Sequence, residues 1–223
     1  MSERTGLRTT VHLVRHGEVH NPTKMLYGRL PGFRLSERGL EQAGVAARFL
    51  AGHDIVAVIC SPLERAQQTA APLAAAYGLE VQIDPRIIES SNYFEGGVVE
   101  PGPGILRHPQ HWHALRNPFR PSWGEAYENV AARVLAAVSD AREAARGHEV
   151  VLVSHQLPVF VTRRALEQRP KWHRPDRRQC ALGSVTSLVF EGEADAPEGD
   201  RLAYVRYCEP NGPGITKQGS VGA

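Results

Sequence analysis

Cysteine is scarce: Cys60, Cys180 and Cys208 are scattered over a chain of 223 residues. An odd, widely spaced set fits neither a disulfide framework nor a zinc site, and it points to reduced thiols. Long apolar runs are missing too. The longest, Ile55 to Cys60, falls far short of the roughly 20 residues that cross a bilayer. Met1-Ser2-Glu3-Arg4-Thr5-Gly6 lacks the apolar core of a signal peptide, so a soluble, cytoplasmic protein is expected. Charge of one sign is not in excess. A formal charge of +2 is too small to make nucleic acid or a membrane surface the main partner. No Gly-x-x-x-x-Gly-Lys-Ser/Thr occurs, which excludes P-loop nucleotide binding. With 42% hydrophobic and 22% charged residues the composition is otherwise ordinary, and the chain is long enough to bury a substantial core.

What is present is organised around Thr9-Thr10-Val11-His12-Leu13-Val14-Arg15-His16-Gly17-Glu18. The apolar and β-branched run reads as a strand buried on both faces of a parallel sheet. It ends in a packed polar cluster, at the strand end where open α/β sheets bind ligands. Gly17 is expected to leave room for a ligand to approach the backbone.

The rest of the chain alternates. A loop spans Val19 to Leu35, and Ser36 reads as the N-cap of a helix through Leu40, Ala43, Ala47 and Leu50, stopped by Gly52. Ile55–Cys60 is a second buried strand, with Ser61-Pro62 as the cap and first residue of a helix toward Tyr77-Gly78. Val81–Ile83 is a short third strand. Ser90 to Trp123 shows no periodicity and holds five prolines with many aromatic and basic residues, the composition of a lid or substrate insertion. A helix from about Glu125 to Arg146 follows, with Val130, Val134, Leu135 and Val138 inward and Gly147 past its end. Glu149–Val153 is another buried strand, ending in Ser154-His155, and a helix runs from near Leu157 to Gln168. Strands over Ala181–Phe190 and Leu202–Cys208, joined by a polar turn Gly192–Asp200, close the domain. The tail after Glu209 reads as disordered. This order predicts a single α/β domain over 1–208, a three-layer αβα sandwich with a mostly parallel sheet and an antiparallel edge.

Three strands therefore end in Arg15-His16, in Ser61-Pro62 with Arg65 one turn on, and in Ser154-His155. Parallel strands present their carboxyl ends on one edge, so these residues can converge. Two arginines and two histidines around one point make a site for a dianionic phosphate. Read as ordered segments, Arg15-His16-Gly17-Glu18, Ser61-Pro62-Leu63-Glu64-Arg65-Ala66-Gln67-Gln68-Thr69 and Val153-Ser154-His155 resemble the histidine phosphatase superfamily, the phosphoglycerate-mutase-like group. Gly28 and Leu35-Ser36-Glu37-Arg38-Gly39-Leu40-Glu41-Gln42-Ala43 fit it as well. The resemblance implies a phosphomonoester hydrolase working through a phosphohistidine, with no metal or other cofactor. It casts His16 as nucleophile, Arg15, Arg65 and a protonated His155 as the phosphate clamp, and Glu89 as proton donor. Asn21, Gly28, Arg29 and Gln156 are the candidate substrate contacts.

Two positions depart from the family's phosphatases: Val19 stands where Ser or Thr is usual, and Asn21 comes one residue early. The spacing from Glu89 to the next Glu-Gly pair, Glu95-Gly96, is also one residue shorter than usual; Glu89 is still the preferred acid and Glu95 the runner-up. A small phosphorylated metabolite is the expected substrate; phosphoglycerate mutase-type transfer and a weakly catalytic phospho-ligand module are the alternatives. The mutase is disfavoured by Ser90-Ser91-Asn92 after Glu89, where mutases carry an arginine and a tyrosine-glycine pair. A cysteine-phosphatase loop needs five residues between cysteine and arginine, and Cys60 to Arg65 has four, so Cys60 reads as a small buried residue. His108, His111 and His113 have no framing carboxylate or cysteine and read as loop residues. The basic run Lys171 to Arg178 reads as a solvated connector. The sequence gives no indication of oligomeric state.

Overall fold

Six strands and four α-helices form among the described residues, 6–97, 124–173, 178–193 and 196–212, of the computed structural model. In chain order they are β1 (Gly6–Arg15), α1 (Glu37–Phe49), β2 (Ile55–Cys60), α2 (Glu64–Tyr77), β3 (Val81–Ile83), a 3-10 turn (Pro85–Ile87), α3 (Tyr127–Ala144), β4 (Glu149–Ser154), α4 (Gln156–Leu166), β5 (Val185–Glu193) and β6 (Ala196–Cys208). The sheet order is β3-β2-β4-β1-β5-β6. β2 pairs in parallel with β3 and β4, and β1 with β4. β5 and β6 add an antiparallel edge. The expected α/β class is what forms. No helix among the described residues is long and apolar enough to cross a membrane.

The buried stretches of β1 and β4, broken in β1 only by buried polar residues such as His12, follow from burial on two faces, since successive strand residues point to opposite sides. On one side Val11, Leu13, Val150 and Leu152 pack with Val130, Val134 and Val138 of α3 and with Val159 and Phe160 of α4. On the other, Val14, Val58, Val151 and Val153 pack with Ala46, Leu50, Ala66, Ala70 and Leu73, around α1 and α2. Two such layers enclose the sheet, and the register then does the placing: Arg15 aligns with Ser154 and Cys60 with Val153. The ladders run one residue further, with His16 N donating to Ser154 O (3.0 Å) and Ser61 N to Val153 O (3.0 Å). Arg15-His16, Ser61 and Ser154-His155 thereby share one edge.

Several local expectations hold. Ser36 caps α1, its Oγ accepting from Gly39 N at 3.1 Å. Gly78 ends α2 in the left-handed region, at φ 64°, where a side chain is disfavoured. Others need correction. Ser61 does not cap α2; the helix starts at Glu64 after Leu63, which makes no side-chain cap bond. Leu135 is only partly buried, and Ala131, Ala137 and Ala141 complete the inward face of α3 instead. The polar turn expected over Gly192–Asp200 is largely strand, because β5 runs to Glu193 and β6 begins at Ala196. Gly17 serves packing: a Cβ there would strike the Gly39 carbonyl, and one on Gly39 the Glu18 carbonyl. Both glycines let the end of β1 lie directly on the start of α1. Residues 98–123 and 213–223 lie outside the described residues, and with them His108, His111, His113, most of the expected insertion and most of the tail.

Candidate active site

His16, Arg15, Arg65, Glu89 and His155 are all buried, at 3% exposure or less. Five ionisable side chains held dry at one sheet edge are costly unless they serve one another or a ligand. His16 and His155 lie with ring centroids 5.1 Å apart.

His16 is fixed first. Its Nδ1 lies 2.7 Å from the Gly17 carbonyl oxygen. A carbonyl only accepts, so Nδ1 carries the hydrogen and the neutral ring presents a lone pair at Nε2. Burial, aided by Arg65 and Arg15, holds this imidazole well below its ordinary 6.5. The loop is braced from α2, where Thr69 Oγ1 accepts from Gly17 N at 3.1 Å and donates to Arg65 O at 2.8 Å. Glu18 is spent on scaffolding, its Oε1 accepting from Ser36 Oγ at 2.8 Å and its N–H donating to Gln42 Oε1 at 2.7 Å.

The arginines are anchored through one nitrogen each. Arg15 Nη1 donates to Cys180 O at 2.6 Å, and Arg65 Nη2 to Gly28 O at 2.5 Å. Arg65 also lies over the Tyr27 ring, 4.7 Å from its centroid. Arg15 Nε, Arg65 Nε and His155 Nδ1 are buried without a hydrogen-bond partner. Buried donors are normally satisfied, so three unpartnered nitrogens in one cluster fit an anionic ligand. His155 Nε2 lies 2.7 Å from Ser61 Oγ. Burial, then Arg65, His16 and Arg15, push His155 well below its ordinary 6.5, which favours the neutral ring over the protonated one expected.

Glu89 stands on the segment after the 3-10 turn. Burial raises its carboxyl above 4.5, opposed by the Ser90 N–H at 2.8 Å and by Arg65, Arg178 and Arg15. The arrangement sets a lone-pair imidazole and a carboxyl whose burial favours its protonated form among buried, partly unpartnered cationic donors.

The model of the histidine phosphatase superfamily (branch 1) matches residues 11–198. The chain belongs to that superfamily. It is 58% identical to the uncharacterized Mycobacterium tuberculosis protein Rv0525 over 202 residues, covering 91% of this chain and 96% of the relative. It is 32% identical over 185 residues to a probable phosphoglycerate mutase, GpmB, of Yersinia pestis, covering 78% and 83% of the two chains. Among solved structures, a mycobacterial glucosyl-3-phosphoglycerate phosphatase, Rv2419c, in complex with VO3 is similar at TM-score 0.69 and 27% identity, over 90% of this chain and 97% of that one.

Within this member of the superfamily, the anticipated substrate contacts have defined partners. Asn21 closes its own loop, donating to Met25 O at 2.8 Å and accepting from Met25 N at 3.0 Å. Gly28 has φ 36°, and a Cβ there would strike the Glu95 carboxylate. Arg29 donates to Glu89 O at 2.7 Å and to Glu125 Oε2 at 2.8 Å, so it holds the segment of Glu89. Gln156 accepts from Arg178 at 3.3 Å. Glu95, the other candidate acid, is only partly buried and accepts from Asn92 N at 2.9 Å. Cys60 is fully buried, its thiol pushed up to about 12 by burial.

Two further arginines of the site carry no distinct signal in the sequence. Arg133 of α3 donates to Arg86 O and Ile88 O at 2.5 and 2.7 Å, and to Glu89 O at 3.3 Å. On the sequence it is one basic residue of a helix, with no signal of its own. On the sequence Arg178 belongs to a basic run expected to be a solvated connector. It donates to His173 Nε2 at 2.7 Å, and Glu89 and Arg15 both act on it electrostatically. The only available hint was its place in a basic run.

Proposed function

We propose that the protein hydrolyses phosphate monoesters through a covalent phosphohistidine on His16. The observation that carries this reading is the Nδ1–Gly17 O bond at 2.7 Å, which leaves Nε2 unprotonated among the cluster's cations. The dianionic phosphoryl group sits between Arg15, Arg65 and the Nδ1–H of His155, with Ser61 donating to His155 Nε2. Nε2 of His16 attacks phosphorus in line as the bond to the leaving oxygen breaks. Glu89 gives its proton to the leaving alkoxide. The resulting carboxylate takes a proton from a water molecule, whose oxygen attacks phosphorus and releases phosphate from His16. Side-chain cations supply the charge stabilisation, so no metal is required in this scheme. A small phosphorylated metabolite is the proposed substrate class.

The test is a trapping experiment with a ³²P-labelled phosphate ester. Acid-labile, base-stable label is expected on the wild type and none on His16→Ala, which also loses turnover. Acid-stable label, or full activity in His16→Ala, overturns the mechanism.

A further inference from the structure

Outside the cluster, near the amino ends of β2 and β4, two imidazoles share one carboxylate oxygen. His12 Nε2 lies 2.6 Å and His53 Nδ1 2.7 Å from Oε2 of Glu149. All three atoms are within 4.8 Å of one another. Three different elements supply them: His12 from β1, His53 from the turn after α1, and Glu149 from the first position of β4. That turn is tied to β4, since Glu149 N donates to Asp54 O at 2.9 Å. The phosphatase mechanism uses none of the three residues.

We propose that His12, His53 and Glu149 form a binding site for one divalent transition-metal ion of the zinc class, with a fourth position open to solvent. Two imidazole nitrogens and one carboxylate oxygen are a donor set that zinc takes in sites with an open position. The outer shell is also in place. His12 is 2% exposed, and its Nδ1 lies 2.8 Å from Ser187 Oγ, a bond that fixes the ring with Nε2 toward Glu149. A hydroxyl either donates or accepts. Ser187 can therefore donate to Nδ1 when Nε2–H points at the carboxylate, and accept from Nδ1–H when Nε2 ligates an ion. His53 can likewise carry its hydrogen on the outer nitrogen, which leaves Nδ1 as the ligand atom.

The remaining adjustment is small. At bond lengths of about 2.0–2.2 Å, tetrahedral ligand atoms stand roughly 3.4 Å apart, so the present N···O separations must open somewhat. The freedom lies on the outer side, where the His53 and Glu149 side chains are 40% and 24% exposed. The ion enters from that face, while His12 stays anchored in the sheet.

Zinc chloride titrated calorimetrically into the full chain tests the proposal, with His53→Ala and Glu149→Gln alongside. The expected result is one zinc per wild-type chain, bound at least tenfold more weakly by either variant. His53 lies in an exposed turn, so His53→Ala keeps the fold, and circular dichroism checks both variants. If Glu149→Gln fails to fold, the His53→Ala comparison decides alone. Bound Co(II) should give d–d absorption without the sulfur charge-transfer band of cysteine ligation. Absence of binding, equal zinc affinity in wild type and His53→Ala, or binding lost only in His16→Ala overturns the proposal. The readout is binding alone, so the result stands apart from that of the phosphatase assay.

Discussion

Glu125 takes Arg133 with both carboxylate oxygens, Oε1 from Nε at 2.8 Å and Oε2 from Nη2 at 2.9 Å. The pair is held largely out of water. The guanidinium, fixed flat, presents its remaining hydrogens to the carbonyls of Arg86, Ile88 and Glu89. Arg29 meets the same Glu89 carbonyl and the same Glu125 carboxylate. The backbone on which Glu89 stands is therefore clamped by two arginines sharing one carboxylate.

Arg133 is accordingly a positioning residue for Glu89. Lysine cannot reproduce a planar, several-pronged fork, so Arg133→Lys should lower kcat on an alkyl phosphate by up to about a hundredfold. KM should change little, and a nitrophenyl phosphate, which needs no acid, should be spared. Steady-state kinetics on both esters check this. Equal losses on the two would mean that Arg133 supports the site in some way other than through Glu89.

Glu89→Gln removes the ionisable proton while keeping shape. General acid catalysis contributes about a hundred- to ten-thousandfold, so the variant should lose far more rate on the alkyl ester than on the nitrophenyl ester. Glu95→Gln should show little such contrast. The opposite pattern would exchange the two roles.

The pH profile follows from the directions of the shifts. His16 lies below 6.5 and must be neutral to attack, so kcat/KM should rise with pH on a limb centred below 6.5. Glu89 lies above 4.5 and must be protonated, so activity should fall as it ionises on a limb above 4.5. The phosphate ester's own second ionisation, near pH 6, is corrected for first. An ascending limb at or above 6.5 contradicts the neutral-imidazole assignment.

Burial of Glu89 also has a stability consequence. Its folded pKa is raised above the ordinary 4.5. The favourable contribution is thus complete below 4.5 and is lost as pH rises through the folded value. Above that value the native state carries a buried charge that glutamine would not. Glu89→Gln should therefore melt higher than wild type at pH 8, with the gap closing toward pH 4.5. Calorimetric melting across that range checks it, and a gap that is constant with pH would show that ionisation is not the cause.

The sequence by itself determined the alternation of strand and helix, the cap at Ser36, the strand ends that carry Arg15, His16 and His155, and the helix start that carries Arg65. Those features are written in local periodicity and in short ordered segments, where neighbouring residues along the chain share one environment. Tertiary structure decided what depends on residues distant in sequence. Ser61 looked like a helix cap but meets His155, 94 positions away. Arg29, a candidate substrate contact on the sequence, also holds the Glu89 carbonyl, 60 positions away. Arg133 and Arg178 carry no local mark, because a guanidinium's partners are set by which backbone folds against it. The downward shift of His155 is likewise a tertiary effect, since desolvation and the neighbouring cations act only once β1, α2 and β4 bring their residues together.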